Sequence, residues 1–510
     1  LSFVVVTSSP DLVASVDSDH ILTLSLGKGI ANDSAYTVTI TATDDQNRTL
    51  EQTATVTFEL TRIYVNAAAT GTGTGHTWAD AVTELRDAFA LASTGDEIWI
   101  AQGVYKPSDT DPTAQFVTLD GLSVYGGFFG DETSVDEADP ATYLTILSGD
   151  IDGDDTVDAH GVTLSYADHG PGGGNSSANL VVLPVNTSAT LTGLVICGAS
   201  SSGIRTNTGS SLTLANCIVR GNKQSGDGGG INAFGSSHSI SDCQFLQNQA
   251  SAHGGAVRNG SGGSNMTLLR CTLSGNAASL GGAYAVKAGS GSRTIRLRDC
   301  LLTGNHAAND GGAIHSWVGG TTMYLINCTL AANRADDEGG SIFWLYGQGV
   351  KADNTIVWGN SSDPAIKTDN SATATWRYCL VEGSGGSAAW DDFELGTDGG
   401  NNLDADPLFL SLPDAATAPT IAGDFTFDAG SPAYDAGNDS LSSSSLDVVG
   451  NARVFSTAID IGAYENLAYL RPSFGFDSDD ITVDEDSGAH TEVAFAEDMS
   501  ANDDGQILTG

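Results

Sequence analysis

The residues best placed to do chemistry lie in one acidic run, Asp150-Ile151-Asp152-Gly153-Asp154-Asp155, with Asp158 just beyond it. Alternating carboxylates around a glycine suit a Ca²⁺ loop, which needs hard oxygen ligands and one residue free to turn sharply. Asp150, Asp152, Asp154 and Asp158 are therefore the candidate metal ligands, and Ca²⁺ is the cofactor they suggest. No Glu follows where such a loop would place its bidentate ligand, so a solvated acidic turn fits the same residues. Asp44, Asp45, Asp484, Glu485 and Asp486 form a weaker acidic group of the same kind.

Acid–base catalysis would need more. A polysaccharide lyase sets Ca²⁺ carboxylates beside an Arg or Lys base, and an inverting hydrolase sets two carboxylates around a water. Asp227, Asp310 and Glu338 precede Gly-Gly pairs at equivalent places, but His253 and Leu280 interrupt that series. No set of Asp with Arg or Lys recurs in phase, and the nine histidines show no ligand spacing. The expectation is a protein without catalytic residues.

These residues need elements to position them, and an internal repeat supplies the elements. Leu214-Ala-Asn-Cys-Ile-Val-Arg-Gly-Asn222 recurs as 240–248, 268–276, 297–305 and 325–333, with a degenerate copy holding Thr355 and Asn360. Cys217, Cys243, Cys271, Cys300 and Cys328 are spaced 26 to 29 residues apart. Cys379 fits a continuation after the degenerate copy, whereas Cys197 lies outside the spacing. Gly-Gly pairs at 228, 254, 281, 311 and 339 keep the same phase. Positions five and three before each Cys are mostly apolar, as in Leu212 and Leu214 or Ile295 and Leu297. That alternation marks strands with one buried face. Strand, corner, strand, Asn turn, Gly-Gly turn and third strand within 30 residues make one coil of a parallel β-helix. One coil cannot bury its own inner face; stacking coils about 4.8 Å apart does so.

Each landmark has a structural role in such a stack. The cysteines fill the interior as small apolar side chains, with disulfides as the alternative. Asn222, Asn248, Asn276, Asn305 and Asn333 are expected to form a ladder of amides that satisfies turn backbone groups, and the glycines to permit positive φ.

Cys243-x-Phe245-x-x-Asn248 and Gly311-Gly-Ala-Ile314 resemble the repeats of polymorphic outer-membrane proteins and related right-handed β-helix adhesins with the pectin-lyase-like fold. Ile63-Tyr64-Val65, the segment around Trp78, a short helix near 82–92 and Glu97–Tyr105 resemble the start of such helices in large bacterial surface proteins. Ser431–Gly437 and Asp460–Glu465 are similar to their end. The resemblance covers 63–465 and implies an extracellular, cell-surface protein.

The flanks read differently. Residues 1–62 alternate as strands over 2–6, 21–24, 36–40 and 53–58 and resemble the later part of an immunoglobulin- or cadherin-like sandwich. Residues 466–510, with Ile481–Gly488 and Thr491–Phe495, resemble the opening of one. Together they supply about 107 residues, the size of one sandwich. The fold expected is thus all-β: a right-handed parallel β-helix flanked by two halves of an immunoglobulin/cadherin-like sandwich. Head-to-tail copies would complete each other's sandwich, in one covalent chain or between subunits, through Leu1, Phe3, Val5, Ile507 and Leu508. A truncated pair of unrelated half-domains is the competing reading.

Composition limits the partners. With 63 acidic and 20 basic residues the net charge is −43, and no Lys/Arg cluster suits phosphate, so nucleic acid is excluded as a partner. No apolar run reaches the ~20 residues of a membrane span. The expected role is a structural or adhesive module in an array or surface filament, with copies of itself and surface glycans as partners. A secreted polysaccharide-binding or polysaccharide-cleaving protein is the alternative. Asn47, Asn186 and Asn265 begin glycosylation triplets.

Overall fold

The structure, a computed structural model, describes residues 2–8, 12–17, 20–26, 35–57, 62–171, 178–260, 265–287, 292–346, 349–361, 364–368, 372–427 and 430–467, and the strands at 475–476 and 496–497. From Arg62 onward the chain winds into a parallel β-helix with three long sheets. Sheet A has 12 strands from Arg62–Val65 to Thr397–Asp398, and sheet B has 10 from Gly103–Tyr105 to Leu380–Val381. Sheet C has 9, from Phe116–Val117 to Ile366–Thr368. A fourth sheet of five two-residue strands, Lys223–Gln224 to Arg334–Ala335, follows the Asn turn, an element the repeat pattern did not separate. One apolar core runs through the coils, and helix α1 (Leu85–Leu91) adds Leu85 and Ala88 to it at the beginning of the helix.

Left-handed residues at fixed places make the corners of each coil. The residue before each ladder Cys has positive φ: Asn216, Asp242, Arg270, Asp299 and Asn327, then Asn354 and Tyr378. Such a kink turns the chain from sheet A into sheet B, and the carbonyl before it accepts a backbone N–H from the coil before, as Ser241 does from Asn216 at 3.1 Å. The thiol adds a second donor: Sγ of Cys217, Cys243 and Cys300 donates to the carbonyl two residues earlier at 3.0–3.1 Å. In the degenerate copy the Thr355 hydroxyl does the same to Asp353 at 3.0 Å. The strand registers bring Cys217, Cys243, Cys271, Cys300, Cys328, Thr355 and Cys379 onto one column. All seven cysteines of the chain are buried and free, so the disulfide alternative fails. Burial raises the thiols of Cys243 and Cys300 well above the usual range, which keeps them protonated. Cys197 lies off the column, beside Ile146, Val162 and Val195.

The second corner precedes the asparagines, where Gly221, Gln247, Gly275, Gly304, Ala332 and Gly359 have positive φ. Each Asn then points inward, fully buried from Asn222 to Asn333. From Asn248 onward the Oδ1 of each accepts the backbone N–H and the Nδ2 of the Asn one coil earlier, for example Asn276 from Asn248 at 3.0 and 3.1 Å. The Nδ2 also donates to a carbonyl of that earlier coil, Phe245 in the same case, at 2.8 Å.

The glycine pairs divide their labour. The first member has φ between 66° and 72° at Gly228, Gly254, Gly281, Gly311 and Gly339. The second has ordinary φ and is needed for close approach instead: a Cβ on Gly255, Gly282 or Gly312 would run into the carbonyl of the glycine one coil on. Positive φ, the reason expected for both, thus applies to the first alone.

Residues 404–466, counted within the helical domain by the sequence, add no coil. They lie along sheet B as a lateral strap. Phe425 and Ala463 bury against Leu301, Ala331 and Ala332, and Phe427, Ala433 and Ile461 against Ile356 and Leu380. Gly462 is held close to the coil, where a Cβ would meet Ile356 and Thr329. The strap closes on buried carboxylates: Glu465 accepts from the Phe455 and Asp460 amides, and Asp460 from those of Asp435 and Asn466. Burial raises Asp460 to about 6 and, with the Asp460 charge beside it, Glu465 to about 8. A carboxyl raised in the folded state contributes stability that is complete below its unfolded pKa and lost as pH rises through the folded one. Strap protection against hydrogen exchange at the Phe455 and Asp460 amides is therefore expected to fall between pH 5 and 9. Glu465→Gln should flatten the upper part of that fall, and an unchanged slope in that variant would refute the assignment.

Residues 2–57 are antiparallel. β1 (Ser2–Thr7) pairs with β4 (Ala35–Thr43), β4 with β5 (Thr49–Thr57), and β2 (Leu12–Val16) with β3 (Leu22–Leu26). Leu12 and Val38 are the buried centre of this small unit. Of the expected joint residues, Phe3 and Val5 are half-buried in β1, with Phe3 edge-on to His20 at 5.3 Å. Leu1, Ile507 and Leu508 lie outside the described residues, as does nearly all of the segment 466–510.

Candidate functional site

Two places gather chemistry. The acidic run leaves sheet B after Ser148 and folds into a loop over it. Asp150 is 6 % exposed, and its Oδ1 accepts from the Gly153 and Asp154 amides at 2.9 and 3.1 Å, an Asx-type turn that the glycine completes. The oxygens that meet belong to Asp150, Asp154 and Asp155, all within 4.8 Å of one another. Asp155 also binds Thr163 Oγ1 and the Gly170 amide, both at 2.9 Å, which fixes it from a later part of the loop.

This changes the expected ligand set. Asp152 is exposed and outside the group. Asp158 instead caps its own turn, accepting from the His160 and Val162 amides at 2.9 Å. Asp155, adjacent to the alternating positions, takes their place because the turn at Gly153 breaks the alternation. Three carboxylates with lone pairs to spare suit a hard cation such as Ca²⁺, which takes 6–8 oxygens; carbonyls and water would supply the remainder.

The second place is made by stacking. Asp227, ahead of one Gly-Gly pair, receives partners from the next two coils. His253 Nδ1 lies 2.9 Å from its Oδ1, Lys287 Nζ 2.9 Å and Arg258 Nε 3.8 Å from its Oδ2. No set of Asp with Arg or Lys was expected to recur in phase, and this single group arises out of phase. The loops differ in length, so Asp227 and Lys287 share no repeat position, yet they lie two coils apart on one face. Burial alone would raise the Asp227 carboxyl; the hydrogen bonds from His253 and Lys287 and the Arg258 charge overcome it and hold it at about 2. A carboxylate so held is a fixed counter-charge and a poor proton donor.

The other two acids of the interrupted series stand apart. Asp310 accepts from the Glu338 amide at 3.2 Å, and Glu338 pairs with Lys367 at 3.4 Å. Burial raises Asp310, aided by the neighbouring Asp337 and Glu338 charges.

Residues 151–330 match the family model described as a right-handed β-helix region. No curated protein matches the chain. The helix is accordingly right-handed, and the matched stretch holds both chemical places except Asp150 and the ladder from Cys217 to Cys328.

Proposed function

We propose that this right-handed β-helix is a non-catalytic, extracellular structural and adhesive module whose copies join head to tail through the antiparallel segments. The observation that carries this reading is the outer face and edge of β1. β1 pairs only with β4 among the described residues, and Val4 and Val6 are 59 % and 60 % exposed, with Ile21 of the same unit at 59 %. A strand with a free edge and bare apolar side chains is a template for a further strand. In the proposed joint the strands expected over 481–495 of a neighbouring copy, with Ile507 and Leu508, cover that face. The charge of −43 keeps such rods soluble and apart except at the joint, and Ca²⁺ at Asp150, Asp154 and Asp155 would brace the loop over sheet B.

Light scattering and negative-stain imaging of the purified chain test the joint. Filaments or concentration-dependent oligomers are expected, and Val4→Lys with Val6→Lys should leave monomers of unchanged circular dichroism. Monomers for the unsubstituted chain at every concentration, or oligomers untouched by the two lysines, would count against it.

The alternative, a polysaccharide-cleaving protein, draws on one observation: Asp227 with Arg258 and Lys287 puts an acid beside bases on one face. Incubation with acidic polysaccharides separates the readings, because cleavage would release new chain ends and the adhesive reading requires none.

A further inference from the structure

The face that carries Asp227 continues into a cleft of about 260 Å³ lined by His253, Val286, Lys287, His315, Trp317 and Val318. Its floor is unusual. In sheet C the registers align Arg258, Ala285, His315 and Phe343 as one outward column, flanked by inward Ile314 and Ile342 of the core. His315 is nonetheless fully buried, its ring stacked on Phe343 at 5.2 Å, and neither ring nitrogen has a hydrogen-bond partner. Two unsatisfied buried nitrogens are costly, and a site that receives a polar ligand is one way such a cost persists. Burial, with the His253 imidazole beside it, lowers His315 to about 3, so the ring is neutral and offers one donor and one acceptor. At the rim Trp317 is 59 % exposed and edge-on to His315 at 6.4 Å.

The local charge runs against the rest of the molecule. Arg258 feels the charges of Arg205 and Arg293, Lys287 lines the cleft, and Asp227 is the carboxylate that Arg258 and Lys287 share. That is four of the chain's 20 basic residues in one place on a chain of net charge −43. Such a spot selects an anionic group.

We propose that this cleft binds a carboxylated pyranose, one acidic sugar unit of a surface or matrix polysaccharide. Trp317 lies under the ring face, His315 exchanges hydrogen bonds with ring hydroxyls, and Lys287 meets the sugar carboxylate while Asp227 holds its ammonium in place. The cavity is smaller than the ~300–1,000 Å³ of a drug-sized pocket, which suits one sugar ring with the chain running out over the rim. This inference stands apart from the way copies are joined: it names what the module adheres to, and monomers would bind as well as filaments.

The test is calorimetric titration of the whole chain with trisaccharides of galacturonic, glucuronic and mannuronic acid, each beside its carboxyl-reduced neutral counterpart. At least one acidic trisaccharide should bind more tightly than its neutral form. Trp317→Ala, at an exposed position, should weaken it at least tenfold, equivalent to about 1.4 kcal/mol. Lys287→Gln should bring the acidic affinity down to the neutral one, and His315→Phe should weaken both forms. Binding indifferent to the carboxylate, binding unchanged in Trp317→Ala, or no binding of any of the three acids would each overturn the proposal. Melting curves of the variants show that they remain folded.

Discussion

Asn276→Ala is expected to cost the β-helix roughly 3–5 kcal/mol, measured by chemical denaturation. The side chain is fully buried in the middle of the amide ladder, so water cannot reach the groups it leaves behind. Its Oδ1 is the acceptor for the Asn248 backbone N–H, and its Nδ2 serves the Phe245 carbonyl and Asn305 Oδ1. Alanine removes both functions at once and opens a cavity between coils. Asn360 supplies the internal control. It makes the same bonds to Asn333 and Leu330 at the last rung but is only partly buried. Water can replace its amide there, so Asn360→Ala should cost no more than about 1 kcal/mol. Because each coil touches only its neighbours, the damage should appear as lost hydrogen-exchange protection at coils 240–305, with the flanking coils less affected. Equal costs for the two variants would show that the ladder's worth does not come from its burial.

The ladder was open to reading from sequence because it repeats: a Cys, an Asn and a Gly-Gly pair in phase over five copies. What repeats in position but varies in chemistry was harder to read. Asn216, Asp242, Asp299, Asn327 and Asn354 are of the types that tolerate left-handed backbone, but Arg270 and Tyr378 share the conformation without the chemistry, which hides the column from a search by residue type. Its role is geometric, to turn the chain from sheet A into sheet B. The acidic loop was legible as to place and only partly as to ligands, since the turn that Asp150 builds on the Gly153 amide exchanges Asp152 and Asp158 for Asp155. The Asp227 group was invisible for another reason. His253 occupies the Asp227 position one coil on, but Lys287 reaches the group from a different repeat position, and unequal loop lengths, set coil by coil, decide that it arrives there.

The same limit applies to the strap, and there the cost of breaking a long-range contact should be large. Arg453 is 1 % exposed and Asp299 fully buried; Nε and Oδ1 lie 3.5 Å apart, joining the strap to a corner residue of the helix. Asp299 further binds Asn327 Nδ2 at 2.9 Å and the Ser444 hydroxyl, while Asn354, next on the same column, exchanges bonds with Asn438 at 2.9 and 3.1 Å. Burial raises the Asp299 carboxyl, and the Arg453 charge is the foremost of the groups that oppose that rise, ahead of Ser444 and Asn327. Arg453→Met fills the space but leaves a buried carboxylate without its cation and deprives the Asp460 and Gly462 carbonyls of a donor. The expected cost is roughly 3–5 kcal/mol of strap docking, seen as rapid hydrogen exchange and new proteolytic cuts within 431–466. The coils should keep their protection, because their own ladders do not pass through Arg453. Asp299→Asn combined with Arg453→Met removes both charges and should be less damaging than the sum of the two single changes. Additivity of the pair, or a strap still protected in Arg453→Met, would mean that the apolar contacts of Phe425, Ile461 and Ala463 hold it alone.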